Sequence, residues 1–283
     1  MKLLGLERAP DGARCKPCSG RVRMKGVILA GGLGTRLRPL TLVTNKHLLP
    51  VYDRPMIYFP IQCLINAGID EVMVVTGGEH AGDFLKLLKN GKHLGLRSLR
   101  YAYQEGEGGI ADALKLAEDF ADGSKICVIL GDNIIEGNIR KAAAEFFTQR
   151  SGAKIILKEV PDPQRFGVVE WDGNPAQRKV KRIIEKPKDP PSTMAVTGFY
   201  FYDADAFKVC KDLKPSGRGE LEITDVNNYY LQRGDLTCDM LEGWWTDAGT
   251  FESLHRASKY VAESGANHLD LAGARPGLFA GKQ

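Results

Sequence analysis

Apolar and polar positions in this chain alternate between two periods. The run Val27–Ala30 is continuously apolar and reads as a buried strand. Helical periodicity then covers Met56–Ala67 and stops at Gly68. Glu71–Thr76 reads as a second buried strand, and Ala81–Lys89 as a helix closing toward Gly91. Leu99–Tyr103 makes a third strand, Ile110–Phe120 an amphipathic helix, and Lys125–Leu130 a buried strand ending in Gly131-Asp132-Asn133. Strands alternating with helices predict an α/β fold: a doubly wound, mostly parallel (mixed) sheet with helices on both faces.

The second half changes character. A helix near Ile139–Gln149 leads to strands at Ala153–Glu159, Gly167–Trp171, Val180–Ile184 and Met194–Tyr202. Turn signals at Asp162-Pro163 and Asp172-Gly173-Asn174 separate them. Helices at Ala204–Leu213 and Ile223–Arg233, a strand at Asp235–Leu241 and a last helix to about Ser264 complete the pattern. These strands would extend the same sheet. The aromatic stripe Phe199-Tyr200-Phe201-Tyr202 reads as sheet core, because alternate residues of any strand face inward.

Composition narrows the class. The chain has 283 residues, 43% hydrophobic and 26% charged, the mix of an ordinary globular protein. No run approaches the roughly 18 apolar residues of a membrane span, and the N-terminus lacks the apolar core of a signal peptide, so a cytoplasmic location is expected. The net charge of +4 is misleading. Residues 1–23 carry Lys2, Arg8, Arg14, Lys16, Arg21 and Arg23 against Glu7 and Asp11, which accounts for all of it. The body therefore offers no electrostatic case for nucleic-acid binding. Residues 1–23 show no apolar periodicity and read as a flexible extension ending just before Met24. Of six cysteines, Cys63 and Cys127 lie in apolar segments as small hydrophobes. Cys15 and Cys18 have the spacing of half a zinc site, but no second pair follows. Residues 265–283, rich in Gly and Ala, read as a loosely ordered tail.

The chemistry starts where the first strand ends, at Gly31, Gly32 and Gly34, followed by Thr35 and Arg36. Glycines let backbone N–H groups approach a ligand, and successive N–H groups form an anion-binding concavity. Arg36, Arg38 and Lys46 add cations suited to phosphate. The loop is thus a polyphosphate cradle or a strand-to-loop turn with surface arginines. It is not a dinucleotide fingerprint, because Leu37 stands where the third glycine of G-x-G-x-x-G belongs, and no G-K-[ST] occurs for a P-loop. That pattern disfavours an NAD-dependent oxidoreductase. Asp132 after a strand is either a turn residue or a hard oxygen ligand. Asp247, in Trp244-Trp245-Thr246-Asp247-Ala248-Gly249-Thr250, is either a cap for the following helix or a second ligand. Gln104 carries a donor and an acceptor face suited to the imide edge of thymine or uracil. Glu185-Lys186-Pro187 is a surface ion pair or a sugar-phosphate grip. His47, His80, His93 and His255 show no metal-ligand spacing, and no nucleophile triad is present.

The string L-A-G-G-x-G-T-R-L-x-P-L-T followed by N-K-H-L-L-P-V-Y-D-R-P-M-I-Y resembles the sugar-1-phosphate nucleotidylyltransferases, and among them the glucose-1-phosphate thymidylyltransferases. Four further motifs match in order through residue 250: G-D-N, F-G-V, E-K-P with A-V-T-G, and W-x-D-x-G-T. The resemblance implies a Rossmann-like nucleotide-binding sheet with an interleaved sugar-binding half. It implies one nucleotidyltransferase domain over residues 24–264, with 24–150 for nucleotide and 151–264 for sugar and metal. Gly31, Gly32, Gly34, Thr35, Arg36, Lys46, Gln104, Gly109 and Asp132 become nucleotide contacts. Asn133, Gly167, Glu185, Lys186 and Val196 become sugar-phosphate contacts. Asp132 and Asp247 become ligands for Mg²⁺, and Arg36, Lys186 and Asp132 the catalytic groups. His47 stands where many relatives carry Gln. The implied reaction joins dTTP and glucose 1-phosphate into dTDP-glucose and pyrophosphate. A UTP-dependent enzyme, one using another hexose or N-acetylhexosamine 1-phosphate, or a non-catalytic regulatory subunit that binds sugar nucleotides are the alternatives. A homo-oligomer is compatible with the resemblance.

Overall fold

The computed structural model describes residues 24–268; the readings made for residues 1–23, Cys15 and Cys18 among them, and for residues 269–283 lie outside these. The first half runs β1 (Lys25–Ala30), two short strands β2 (Pro50–Val51) and β3 (Arg54–Pro55), α1 (Tyr58–Asn66), β4 (Glu71–Gly77), α2 (Ala81–Leu88) and β5 (Ser98–Gln104). It continues through α3 (Ile110–Lys115), α4 (Glu118–Ala121), β6 (Ile126–Leu130), β7 (Asn133–Ile135) and α5 (Arg140–Thr148). The second half holds β8 (Ala153–Glu159), β9 (Gly167–Trp171), β10 (Val180–Glu185) and β11 (Met194–Tyr202). Then come α6 (Asp205–Asp212), α7 (Ile223–Gln232), β12 (Leu236–Met240), β13 (Trp245–Asp247) and α8 (Phe251–Ser264).

The strands of the first half form a parallel core in the order β6-β1-β4-β5. The long strand β11 then adds antiparallel to β6 and carries β8 and β12 beyond it. Near its start, Ala195 of β11 pairs with Val168, which hangs the β9–β10 hairpin on the same strand. The sheet is therefore mixed, with parallel pairing through β6-β1-β4-β5 and again between β8 and β12. Side-chain alternation splits the core in two. Val27 and Leu29 face the helices α3, α4, α6 and α7, while Ile28 and Ala30 face α1, α2 and α5. A third, smaller cluster packs Ala257 and Val261 of α8 on Val51, Met56 and Ile134.

Two departures from the pattern have local causes. The single helix expected over Ile110–Phe120 is interrupted, since Leu116 and Ala117 donate to carbonyls three residues back. That tighter turn rotates Phe120 and Ala121 into the core already holding Leu114. At the other end, residues 266–268 are tied down where a loose tail was expected to have begun. Asn267 N–H donates to the Ile135 carbonyl at 3.0 Å and its side-chain amide to Phe59 at 3.0 Å, while His268 N–H donates to Glu136 at 2.8 Å.

Candidate active site

A cavity of about 530 Å³ opens at the carboxyl ends of β1, β5 and β6, where ligands of open α/β sheets bind. Its floor is the loop leaving β1. Gly34 adopts φ +64°, and a Cβ there would lie 2.9 Å from the Lys46 side chain, so only glycine lets the loop fold against Lys46. Thr41 donates to the Gly34 carbonyl at 2.8 Å and holds the turn closed.

Asp132 and Asp247 meet through the two-stranded ribbon β7–β13, in which Asp247 pairs with Asn133. The Ala248 N–H also donates to the Asp132 carbonyl at 2.8 Å. Helix α8 is capped by a reciprocal Thr250–Ser253 box, so capping makes no demand on Asp247. Lys46 Nζ lies 2.5 Å from Asp132 Oδ2. Burial alone would raise the Asp132 carboxyl, but Lys46 outweighs it and holds the group well below the usual carboxylate range. His47 is fully buried, and burial with Lys46 beside it pushes its ring down to about 3, so it is uncharged at neutral pH. Its Nδ1 sits 2.8 Å from Asn45 Oδ1, which also accepts from the His47 backbone and so makes Nδ1 the donor. Asp247 shows the opposite balance. Burial and the nearby Asp132 charge raise it, and Arg165 only partly offsets them. Arg165 Nη2 donates to both Asp247 oxygens, at 3.0 and 2.8 Å. Arg36 reaches the same place: a Cβ on Gly249 would meet Arg36 Nη2 at 3.2 Å and Asp247 Oδ2 at 3.3 Å.

The sugar-facing candidates come from β9, β10 and β11. Glu185 Oε2 accepts from Thr224 Oγ1 at 2.6 Å, and Glu185 Oε1 lies 3.6 Å from both Lys186 Nζ and Arg218 Nη2. Lys186 sits at φ +41°, a conformation costing a non-glycine residue about 1 kcal/mol or more. Its N–H donates to the Phe166 carbonyl at 3.0 Å, so the strained residue is pinned beside Gly167. Val196 lies at the register shift of β11 and also lines the cavity. Asn133 is nearly fully buried, and its Oδ1 accepts from Gly198 N–H and Trp245 Nε1 while its amide donates to Asp132. Gly198 is required there, because a Cβ would overlap the Asn133 amide at 2.6 Å. Asn133 is thus engaged by protein groups and steadies Asp132.

The two aspartates offer hard oxygens, and among the described residues no group of three or more His, Cys, Asp or Glu is placed to hold a metal ion by itself. Such a site suits a cation that takes one or two carboxylates and fills its other positions from substrate and water.

A model of the nucleotidyl transferase family matches residues 25–264. This chain is a nucleotidyl transferase. The transferase is 46% identical over 245 residues to the glucose-1-phosphate thymidylyltransferase of Neisseria meningitidis, covering 84% of this chain and 82% of that one. It is 41% identical over 240 residues to the enzyme of that name from Mycobacterium tuberculosis, with the same shares covered. A solved structure from Bacillus anthracis, described as a proposed glucose-1-phosphate thymidylyltransferase in complex with a sucrose, superposes with a TM-score of 0.80 at 52% identity. It covers 85% of this chain and 96% of that one. UDP-glucose pyrophosphorylase shares the fold, with a TM-score of 0.73 at 22% identity over 85% of this chain and 99% of that one.

The transferase gathers around this one cavity every residue the resemblance names as a contact or ligand, whereas Arg38 is exposed and does not line it. It also adds residues the sequence did not flag: Arg165 against Asp247, Thr224 and Arg218 around Glu185, and Asp112 behind Gln104. Arg165 directly precedes the F-G-V motif, but a lone arginine announces no partner 82 residues away.

Proposed function

We propose that this transferase moves a thymidylyl group from dTTP to glucose 1-phosphate. A phosphate oxygen of the sugar phosphate attacks the α-phosphorus, and the bond from the α-phosphorus to the α,β-bridging oxygen breaks, so that pyrophosphate leaves with that oxygen. The products are dTDP-glucose and pyrophosphate, with no covalent enzyme intermediate. Catalysis of this kind is positioning and charge stabilisation.

The observation that carries the reading is the single cavity in which the glycine loop, the paired aspartates and Glu185-Lys186 converge. In it, N–H groups of Gly31, Gly32, Gly34 and Thr35, with Arg36 and Lys46, hold the triphosphate and the departing pyrophosphate. Gln104 and Gly109 border the base. Lys186 holds the attacking phosphate, while Glu185, Gly167 and Val196 face the sugar hydroxyls. Asp132 and Asp247 would hold Mg²⁺, which supplies positive charge to the phosphate oxygens when bound. The absence, among the described residues, of any helix long and apolar enough to cross a membrane is compatible with work in the cytoplasm.

Pyrophosphate release with purified protein, across dTTP, UTP and dCTP and a set of sugar 1-phosphates, tests the reading. The expected result is Mg²⁺-dependent release that is fastest with dTTP and glucose 1-phosphate and is abolished by a chelator. Faster release with UTP, or with another hexose or hexosamine phosphate, would replace the substrate pair. Nucleotide binding without turnover would favour a regulatory subunit.

A further inference from the structure

Gln104 ends β5 in the cavity wall and is only 6% exposed. Its amide nitrogen has two hydrogens, and the chain uses both. One goes to the Gly109 carbonyl at 3.2 Å and the other to Asp112 Oδ2 at 2.9 Å. Both partners are acceptors, so a flipped amide would set oxygen against two oxygens, and the nitrogen is fixed on that side. The amide oxygen is left facing Gly31, where an added Cβ would lie 2.6 Å from it. Asp112 is itself held. Its Oδ1 is paired with Lys115 Nζ at 2.8 Å. Burial opposes its ionisation, but the bonds from Lys115 and Gln104 prevail, and the carboxyl lies below its ordinary range. A Cβ at Gly108 would collide with this carboxylate, so the glycine before the α3 turn leaves it room.

Gly109 is constrained in the same way. Its φ is +95°, and a Cβ would meet the Leu221 carbonyl at 2.7 Å, so its own carbonyl is locked toward Gln104. The amide that faces the cavity is therefore an acceptor and not a two-faced group.

We propose that Asp112 is a specificity-determining positioning residue: it locks Gln104 as a hydrogen-bond acceptor, which admits pyrimidines carrying N3–H and rejects cytosine. Thymine and uracil carry that hydrogen. Cytosine presents a lone pair at N3, which would face the Gln104 oxygen and leave both unsatisfied in a water-poor wall. The inference rests on the reading above that Gln104 borders the base, but it concerns binding and not transfer.

Titration calorimetry with dTTP, UTP and dCTP on wild-type and Asp112→Asn proteins tests it without requiring turnover. An asparagine can turn its nitrogen toward Gln104, which removes one of the two acceptors that oppose a flipped amide and leaves only the Gly109 carbonyl against it. Wild-type protein should bind dTTP and UTP at least ~30-fold tighter than dCTP, the scale of one mispaired polar contact. In Asp112→Asn the preference over dCTP should shrink about tenfold or more while the dTTP-to-UTP ratio stays constant. Lys115→Met, which leaves the carboxylate in place, should retain the wild-type ratio. A folded Asp112→Asn protein with unchanged discrimination, or with all three affinities lowered in proportion, overturns the proposal. If the variant does not fold, the wild-type protein still decides, because equal binding of dTTP and its N3-methyl analogue also overturns it. Tight, selective dTTP binding without sugar-phosphate transfer would instead refute the proposed reaction and leave this inference standing.

Discussion

Asp132 and Asp247 stand beside each other at one end of a two-stranded ribbon, yet their surroundings act on them in opposite directions. Asp132 belongs to the first half of the chain and is held ionised by Lys46 at 2.5 Å. Asp247 belongs to the side built by the second half, and burial next to Asp132 raises it despite Arg165. Two like charges forced together separate their proton affinities, and each recruits its own cation. Each half of the chain thus brings both a carboxylate and a counterion to the cleft.

The most severe way to break this arrangement is Asp132→Asn, which strands Lys46 and removes the strongly ionised carboxylate. Turnover should fall at least ~100-fold, the scale of losing one transition-state electrostatic partner. Steady-state kinetics at saturating substrates would show it, and near-normal kcat would end the assignment. Asp247→Asn should cost less, about 30-fold, because burial beside Asp132 already disfavours charge on that carboxyl; a larger loss than for Asp132→Asn would invert the comparison.

Lys186→Ala probes the second-half side alone. It should raise KM for the sugar phosphate about tenfold with nucleotide binding unchanged, as expected for one charged contact. Weakened nucleotide affinity in that variant would place Lys186 on the triphosphate instead.

A separate readout, stability against pH, tests whether His47 is held neutral beside Lys46 and Asp132. His47 in the folded protein titrates at about 3, against 6.5 in an exposed chain. The unfolded chain therefore binds the extra proton across that window, and stability falls as pH drops below 6.5. His47→Gln should remove up to about 2–3 kcal/mol of that dependence between pH 6.5 and 4.5, at ~1.4 kcal/mol per pH unit. Melting curves of nucleotide-free protein would follow it. An unchanged slope would mean that His47 is not buried neutral beside Lys46.

Much of the fold was legible because its signals are local. The apolar runs Val27–Ala30 and Ile126–Leu130 are buried on both faces and need no partner to be recognised as strands. The three-residue strands Asn133–Ile135 and Trp245–Asp247 were not legible, since neither has a pattern of its own and their pairing spans more than 100 residues. The site divides the same way. Arg36, Asp132, Glu185 and Lys186 lie in motifs, whereas Arg165 and Thr224 gain their roles from partners far along the chain. From the sequence, Gln104 is expected to offer both a donor and an acceptor face to a base. Only the placement of Asp112, one helical turn into α3, assigns its nitrogen to the protein.

The sequence by itself determined the layered α/β plan, the family resemblance and most of the residues around the cavity. Those properties depend on side-chain periodicity and on short motifs, which are written in adjacent positions. The tertiary structure alone decided which cation neutralises which aspartate, which way the Gln104 amide turns, and that Thr250 rather than Asp247 caps the last helix. Those are contests between groups brought together from distant segments, and their outcomes depend on distances of a few ångströms that no local pattern encodes.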